Sequence, residues 1–103
     1  MRFGLVITDE RHGDAALALL EAARMRGWES RCFLNDRGVL LLTNPEFTGS
    51  DAFSATRVAV CELSIERYEE HGVQVTAIDP AVVIGGQYQD AELAHTCDHV
   101  LVL

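Results

Sequence analysis

The sequence predicts a three-layer α/β domain built on a mainly parallel sheet of about five strands, and three observations predict it. Short strand-like runs recur along the chain, apolar at Phe3–Thr8, Val58–Val60, Val82–Ile84 and His99–Leu103, and alternating before it turns apolar at Trp28–Leu34. Helical patterns with cap-type residues separate most of these runs, the alternation that builds a parallel sheet covered by helices. The chain has 103 residues, about half of them apolar, which suits one core and one domain over residues 1–103.

Phe3–Thr8 is largely apolar and reads as a strand buried on both faces. A loop, Asp9–Asp14, carries His12 and Gly13, and Asp14 is the expected N-cap of an Ala- and Leu-rich helix that Gly27 ends. Ala16, Leu17, Leu20 and Ala23 form its inward stripe, whereas Glu21, Arg24 and Arg26 face water. Trp28–Leu34 is the second strand, with Cys32 inside it as packing. Asn35–Gly38 is a turn by composition. Val39–Leu42 fits either a strand or a short helix, because four apolar residues have no readable period. Thr43–Ser54, with Pro45, Gly49 and two isolated Phe residues, is the least structured stretch and is expected to serve as a lid or an interface.

Val58–Val60 is a short strand that breaks off at Cys61 and Glu62. Ser64 is expected to cap a helix running to Gly72, with Leu63 and Tyr68 as a hydrophobic staple. Gly72 suits the left-handed position after a helix, and Val73 follows as its apolar partner. Val73–Ile78 alternates like a strand, but Asp79-Pro80 interrupts it, so Val82–Ile84 is favoured as the fourth strand. Gly85-Gly86 turns the chain, Asp90 is the expected cap of a short helix to His95 or Cys97, and His99–Leu103 closes the sheet.

Composition excludes several functions. Sixteen acids against eight basic residues give a net charge of −8, with no basic cluster to hold a phosphate backbone, so nucleic acid is not an expected partner. No run approaches the ~18 apolar residues of a membrane span. The start turns acidic before a signal-peptide core could form, which leaves a cytoplasmic location as the expectation. Three cysteines without CxxC spacing fit a reduced compartment better than a disulfide framework.

Chemistry points first to Cys61. It stands where a strand ends and a helix is expected to begin, the edge of an open α/β sheet where ligands collect. A helix N-terminus carries partial positive charge that favours a thiolate, while the neighbouring Glu62 opposes it. A small buried hydrophobe at a strand end fits the same position. Asp9 and His12 follow the first strand and belong to the same edge, where a His could assist proton transfer, although a solvated loop reads equally simply. His95, Cys97 and His99 invite comparison with a metal cluster, but Cys97 would point away from two His on one helical face, and a helix-to-strand junction accounts for them. TDERHGD is too acidic, with a single glycine, for a phosphate loop, and Gly85-Gly86 lacks the other glycines of a dinucleotide turn. No cofactor is expected.

Three segments together resemble the DsrE/DsrF-like (DsrEFH, Tus-type) sulfur-relay family: a Phe with a following Gly-Val turn at Phe33–Val39, the run Cys61-Glu62-Leu63-Ser64-Ile65, and the closing strand Asp98–Leu103. Their order and spacing match over nearly the whole chain. The expected helix after Cys61 is about one turn longer than the family's compact form, and the segment between Leu42 and Arg57 is short. The resemblance implies a DsrEFH-like fold and a homo-oligomer, for which Val39–Leu42 with Phe47 and Phe53 is the expected surface. It also implies a persulfide carrier whose reactive residue is Cys61, with Asp9, His12 and Ser64 as candidate assisting groups and sulfur donor and acceptor proteins as partners. Cys32 and Cys97 do not match that position. The competing reading is a non-enzymatic α/β oligomer that binds a partner or small ligand, with Cys61 structural. A flavodoxin-like flavin or nucleotide binder is a third, weakened by the missing phosphate loop.

Overall fold

The computed structural model describes residues 1–103. Five strands form one sheet: β1 Arg2–Ile7, β2 Glu29–Leu34, β3 Thr56–Cys61, β4 Val83–Gly85 and β5 His99–Val102. Their order is β4-β3-β2-β1-β5 and every pairing is parallel. The expected three-layer α/β/α architecture on a parallel five-stranded sheet is therefore the one the chain adopts.

β1 lies inside the sheet, which is why its sequence is apolar from Phe3 onward. Phe3, Leu5 and Ile7 face the larger core, and Val6 faces a smaller one with Phe33 and Leu93. The larger core is roofed by α1 (Gly13–Met25), α2 (Pro45–Thr48), α3 (Asp51–Ser54) and α4 (Glu62–Arg67). α1 buries Gly13, Ala16, Leu20 and Ala23, a three–four spacing that keeps one stripe on the sheet, with Leu17 half-buried beside it. The opposite face carries only α5 (Gln87–Thr96), which buries Leu93 alone. No helix is long and apolar enough to cross a membrane.

Thr43–Ser54 is more ordered than its composition suggests. Asn44 and Ser50 each cap a one-turn helix, their side chains accepting from the backbone N–H groups of Glu46 and Phe53. Those turns deliver Phe47 and Phe53 into the core, packed edge to face at 5.6 Å. Val39 and Leu41, on a 3-10 turn over Asp36–Thr43, are buried with them. The surface expected for assembly is thus interior: isolated apolar residues between cap signals were anchors, not a patch. Exposed apolar residues lie instead at the sheet's outer strands, Val83 and Ile84 on β4 and Val100, Leu101 and Val102 on β5.

Three expected caps are displaced. A 3-10 turn over Glu10–His12, capped by Asp9, runs directly into α1, so Asp14 lies in the first helical turn, where its charge suits the dipole. Gly86 takes the cap position of α5 and leaves Asp90 in its first turn. α4 begins straight out of β3 with Cys61 at its cap position, so Ser64 is inside the helix and buried. Leu63 is exposed, and the staple with Tyr68 does not form. The helix after Cys61 ends at Arg67, and Glu69–His71 continues as a 3-10 turn. Gly72 follows in the left-handed region at φ 96°, and Val73 is buried after it, as read. Val75–Ala77 forms a 3-10 turn, and the fourth strand comes from the Val82–Ile84 run.

Candidate functional site

The chain lays β1, β2, β3 and β4 outward in sequence, and the segments joining them pack on the larger core. The β4-to-β5 crossover, α5, passes over the opposite face, with Leu93 against Val6 and Phe33. Neighbouring β3 and β4 therefore send their chains to opposite faces at their carboxyl ends. Such a divergence opens a crevice, the usual ligand position in an open α/β sheet. The two residues at its lip are Cys61 and Gly85, paired in register.

Cys61 is half-buried, packs beside Phe33, Val6 and Leu93, and its Sγ has no hydrogen-bond partner. Gly85 is followed at once by Gly86, the cap residue of α5, which makes no side-chain capping bond. The first amides of a ten-residue helix therefore open beside the thiol. Gly85 is small for a reason: a Cβ there would lie 2.6 Å from Gln89 Cγ, whose side chain folds over the turn. The Gly85-Gly86 pair is visible in the sequence, but its adjacency to Cys61 follows only from the strand order.

The other thiols stand elsewhere. Cys32 faces the larger core, is buried, and its pKa is pushed up to about 12 by desolvation. Cys97 lies across β1, its Sγ 3.0 Å from where a Cβ on Gly4 would stand, and burial raises its pKa. Gly4 is in line with Arg31 and Arg57 across the sheet. Cys61 is thus four residues farther along and two strands over from Cys97, about 13 Å by about 10 Å from strand geometry. No two of the three can form a disulfide without moving the sheet.

The candidate assisting residues are distributed along this edge. Asp9 and His12 follow β1, with β2 between them and β3. Arg11 holds the Asp9 carboxylate through its guanidinium and backbone N–H, which lowers the Asp9 pKa to about 2 and keeps it ionised. His12 is exposed. The Ser64 hydroxyl is turned to the turn after β2, accepting from Asp36 N–H at 2.9 Å and donating to Asn35 Oδ1 at 3.1 Å. Asp36 sits at φ 47°, a left-handed conformation that this bond stabilises. Ser64→Ala leaves a backbone donor and a side-chain acceptor without partners, so urea unfolding should show a loss of about 1–3 kcal/mol. Arg37 pairs with Glu10 and lies 5.7 Å over the Tyr68 ring, and Arg67 pairs with Asp36 at 3.1 Å. These contacts tie the first loop, the second turn and α4 together beside the crevice.

No family model matches this sequence, and no curated protein matches it. Among solved structures, the crystal structure of the ychN protein from E. coli matches over the full length of both chains, at 18% identity and a TM-score of 0.66. The two chains share a fold.

Proposed function

We propose that this chain is a sulfur-relay protein that carries sulfane sulfur as a persulfide on Cys61. The observation that carries the reading is the position of Cys61: the thiol that the DsrE/DsrF resemblance singles out lies at the divergence of β3 and β4, beside the opening of α5. Cys32 lies in the core and Cys97 packs across β1, which leaves Cys61 as the thiol at the crevice. The all-parallel five-stranded sheet and the fold shared with ychN support the reading.

The reaction needs no metal and no triad. The Cys61 thiolate attacks the outer sulfur of a donor persulfide, forming a new S–S bond as the donor's S–S bond breaks. The donor leaves as a thiolate and takes up a proton. An acceptor thiolate then attacks the outer sulfur on Cys61, which departs as a thiolate, with no net oxidation in either step. The persulfide formed on Cys61 is anionic, and the free amides at the start of α5 favour an anion there. Donor and acceptor are proteins that reach the open side of the crevice. Self-association of the chain would use the exposed apolar residues of β4 and β5 rather than the buried Phe residues.

Exposure of the native protein to polysulfide should add the mass of sulfur, mapped to the peptide containing Cys61, and a small thiol acceptor should remove it. Cys61→Ser should lose the addition while keeping its melting temperature. Addition mapped to Cys97 in the native protein would overturn the reading.

A further inference from the structure

On the α5 side of the sheet a second feature adjoins the Cys61 lip and shares Phe33 and Leu93 with it. α5 rests on β1 and β2, so the same face of β3 and β4 is left open beside it. A cavity of about 130 Å³ forms in that step, lined by apolar Phe33, Ala59, Val83 and Leu93 and by the charged Arg31, Arg57 and Glu92. Arg31 and Arg57 are register partners on adjacent parallel strands, two cations side by side on one face.

Like charges in that relation destabilise a sheet unless something neutralises them. Arg31 is answered in part, by Glu92 at 3.2 Å and Glu29 at 3.6 Å. Its Nε is nonetheless buried without an acceptor. Arg57 has no acid partner at all. Six of the eight arginines form ion pairs and Arg26 stacks on Trp28, so Arg57 alone is uncommitted in a chain of net charge −8. An unpaired guanidinium, a second one only partly neutralised and an apolar cavity therefore lie together on one face.

We infer that this cavity binds a small organic carboxylate with an apolar body. The carboxylate would accept from two N–H groups of the exposed Arg57 guanidinium, the fork geometry for which arginine is suited, with the Arg31 cation beside it on the next strand. The body would fill the walls of Phe33, Ala59 and Leu93, and the volume is near that of a cavity that holds benzene. Inorganic phosphate would leave those walls unused, and a neutral isostere would leave Arg57 unanswered. The inference does not rest on the persulfide reading, because Cys61 does not line the cavity.

Titration of the isotope-labelled full chain with benzoate tests it by amide shifts. Saturable shifts at Phe33, Ala59 and Leu93 are expected, with benzamide and inorganic phosphate each at least about tenfold weaker. Arg57→Gln, on an exposed side chain, should melt like the parent and lose about tenfold in benzoate affinity. Ala59→Leu, which fills the cavity, should also lose binding, whereas Cys61→Ser should bind as the parent does. Unchanged benzoate affinity in Arg57→Gln, equal binding of benzamide or phosphate, or shifts elsewhere would each overturn the inference.

Discussion

Gly38→Ala is expected to lower the melting temperature by roughly 12–25 °C, a loss of about 3 kcal/mol for a domain of this size. A Cβ on Gly38 would stand 1.9 Å from the Ile7 carbonyl oxygen and 2.7 Å from its carbon. Those atoms are backbone at the end of β1, which is fixed by β2 on one side and β5 on the other. The turn cannot retreat cheaply either. Gly38 N–H donates to Asn35 O at 2.8 Å, Ser64 holds Asp36, and Val39 and Leu41 are buried directly behind. A methyl group must therefore push a buried turn off a central strand. Gly27→Ala is the control, since Gly27 has φ 73° with nothing within 4 Å of its Cβ position. That change should cost only about 1 kcal/mol, through conformation alone. Equal losses in the two variants, measured by thermal melting, would falsify the close approach as the reason for glycine at position 38.

The same Gly38 shows how much of this protein is legible in the sequence. The five strands were readable because each is a short run, apolar or alternating, bounded by polar or turn residues, and burial on one or both faces leaves that mark. α1 was readable from its stripe, and Gly72 from its place after a helix. Gly38 was readable as part of a turn, but its closeness to Ile7 follows only from where the turn crosses β1. Cap positions failed for a related reason. Asp14, Ser64 and Asp90 are good cap residues, yet at each site the preceding backbone already formed helix or turn, so the side chain was free for other work. Ser64 used that freedom to hold the turn after β2 across a gap of 28 residues.

The site divides along the same line. The strand-to-helix junction at Cys61 is legible in the sequence because it is local. The crevice is not, because it depends on β4 lying beside β3 while α5 crosses on the far face, and strand order is not written in any one segment. The pairing of Arg31 with Arg57 is hidden in the sequence for the same reason. They are 26 positions apart in the chain and become neighbours only through the β2–β3 register.

Alkylation of the native protein with limiting iodoacetamide near pH 8 is expected to label Cys61 first, Cys97 more slowly and Cys32 only after unfolding. The order follows from access and from thiolate supply. Cys32 is 1% exposed, and with a pKa of about 12 its thiolate fraction at pH 8 is roughly one in ten thousand. Cys97 is partly covered by the packing over Gly4, and burial raises its pKa as well. Cys61 opens onto the crevice with its Sγ unbonded. The Cys32 shift also has a consequence for stability. Folding favours its neutral form, so the stabilisation is complete below the ordinary thiol value of 9.0 and is lost as pH rises toward about 12. A urea midpoint that falls with rising pH across that window, with a shallower fall in Cys32→Ala, is the expected result. In Cys61→Ser the fast labelling phase should vanish while the slower Cys97 phase and the melting temperature stay as they were. If the fast phase survives that substitution and disappears in Cys97→Ser, Cys61 is structural. The chain is then a binding module, with the arginine-lined cavity as its site.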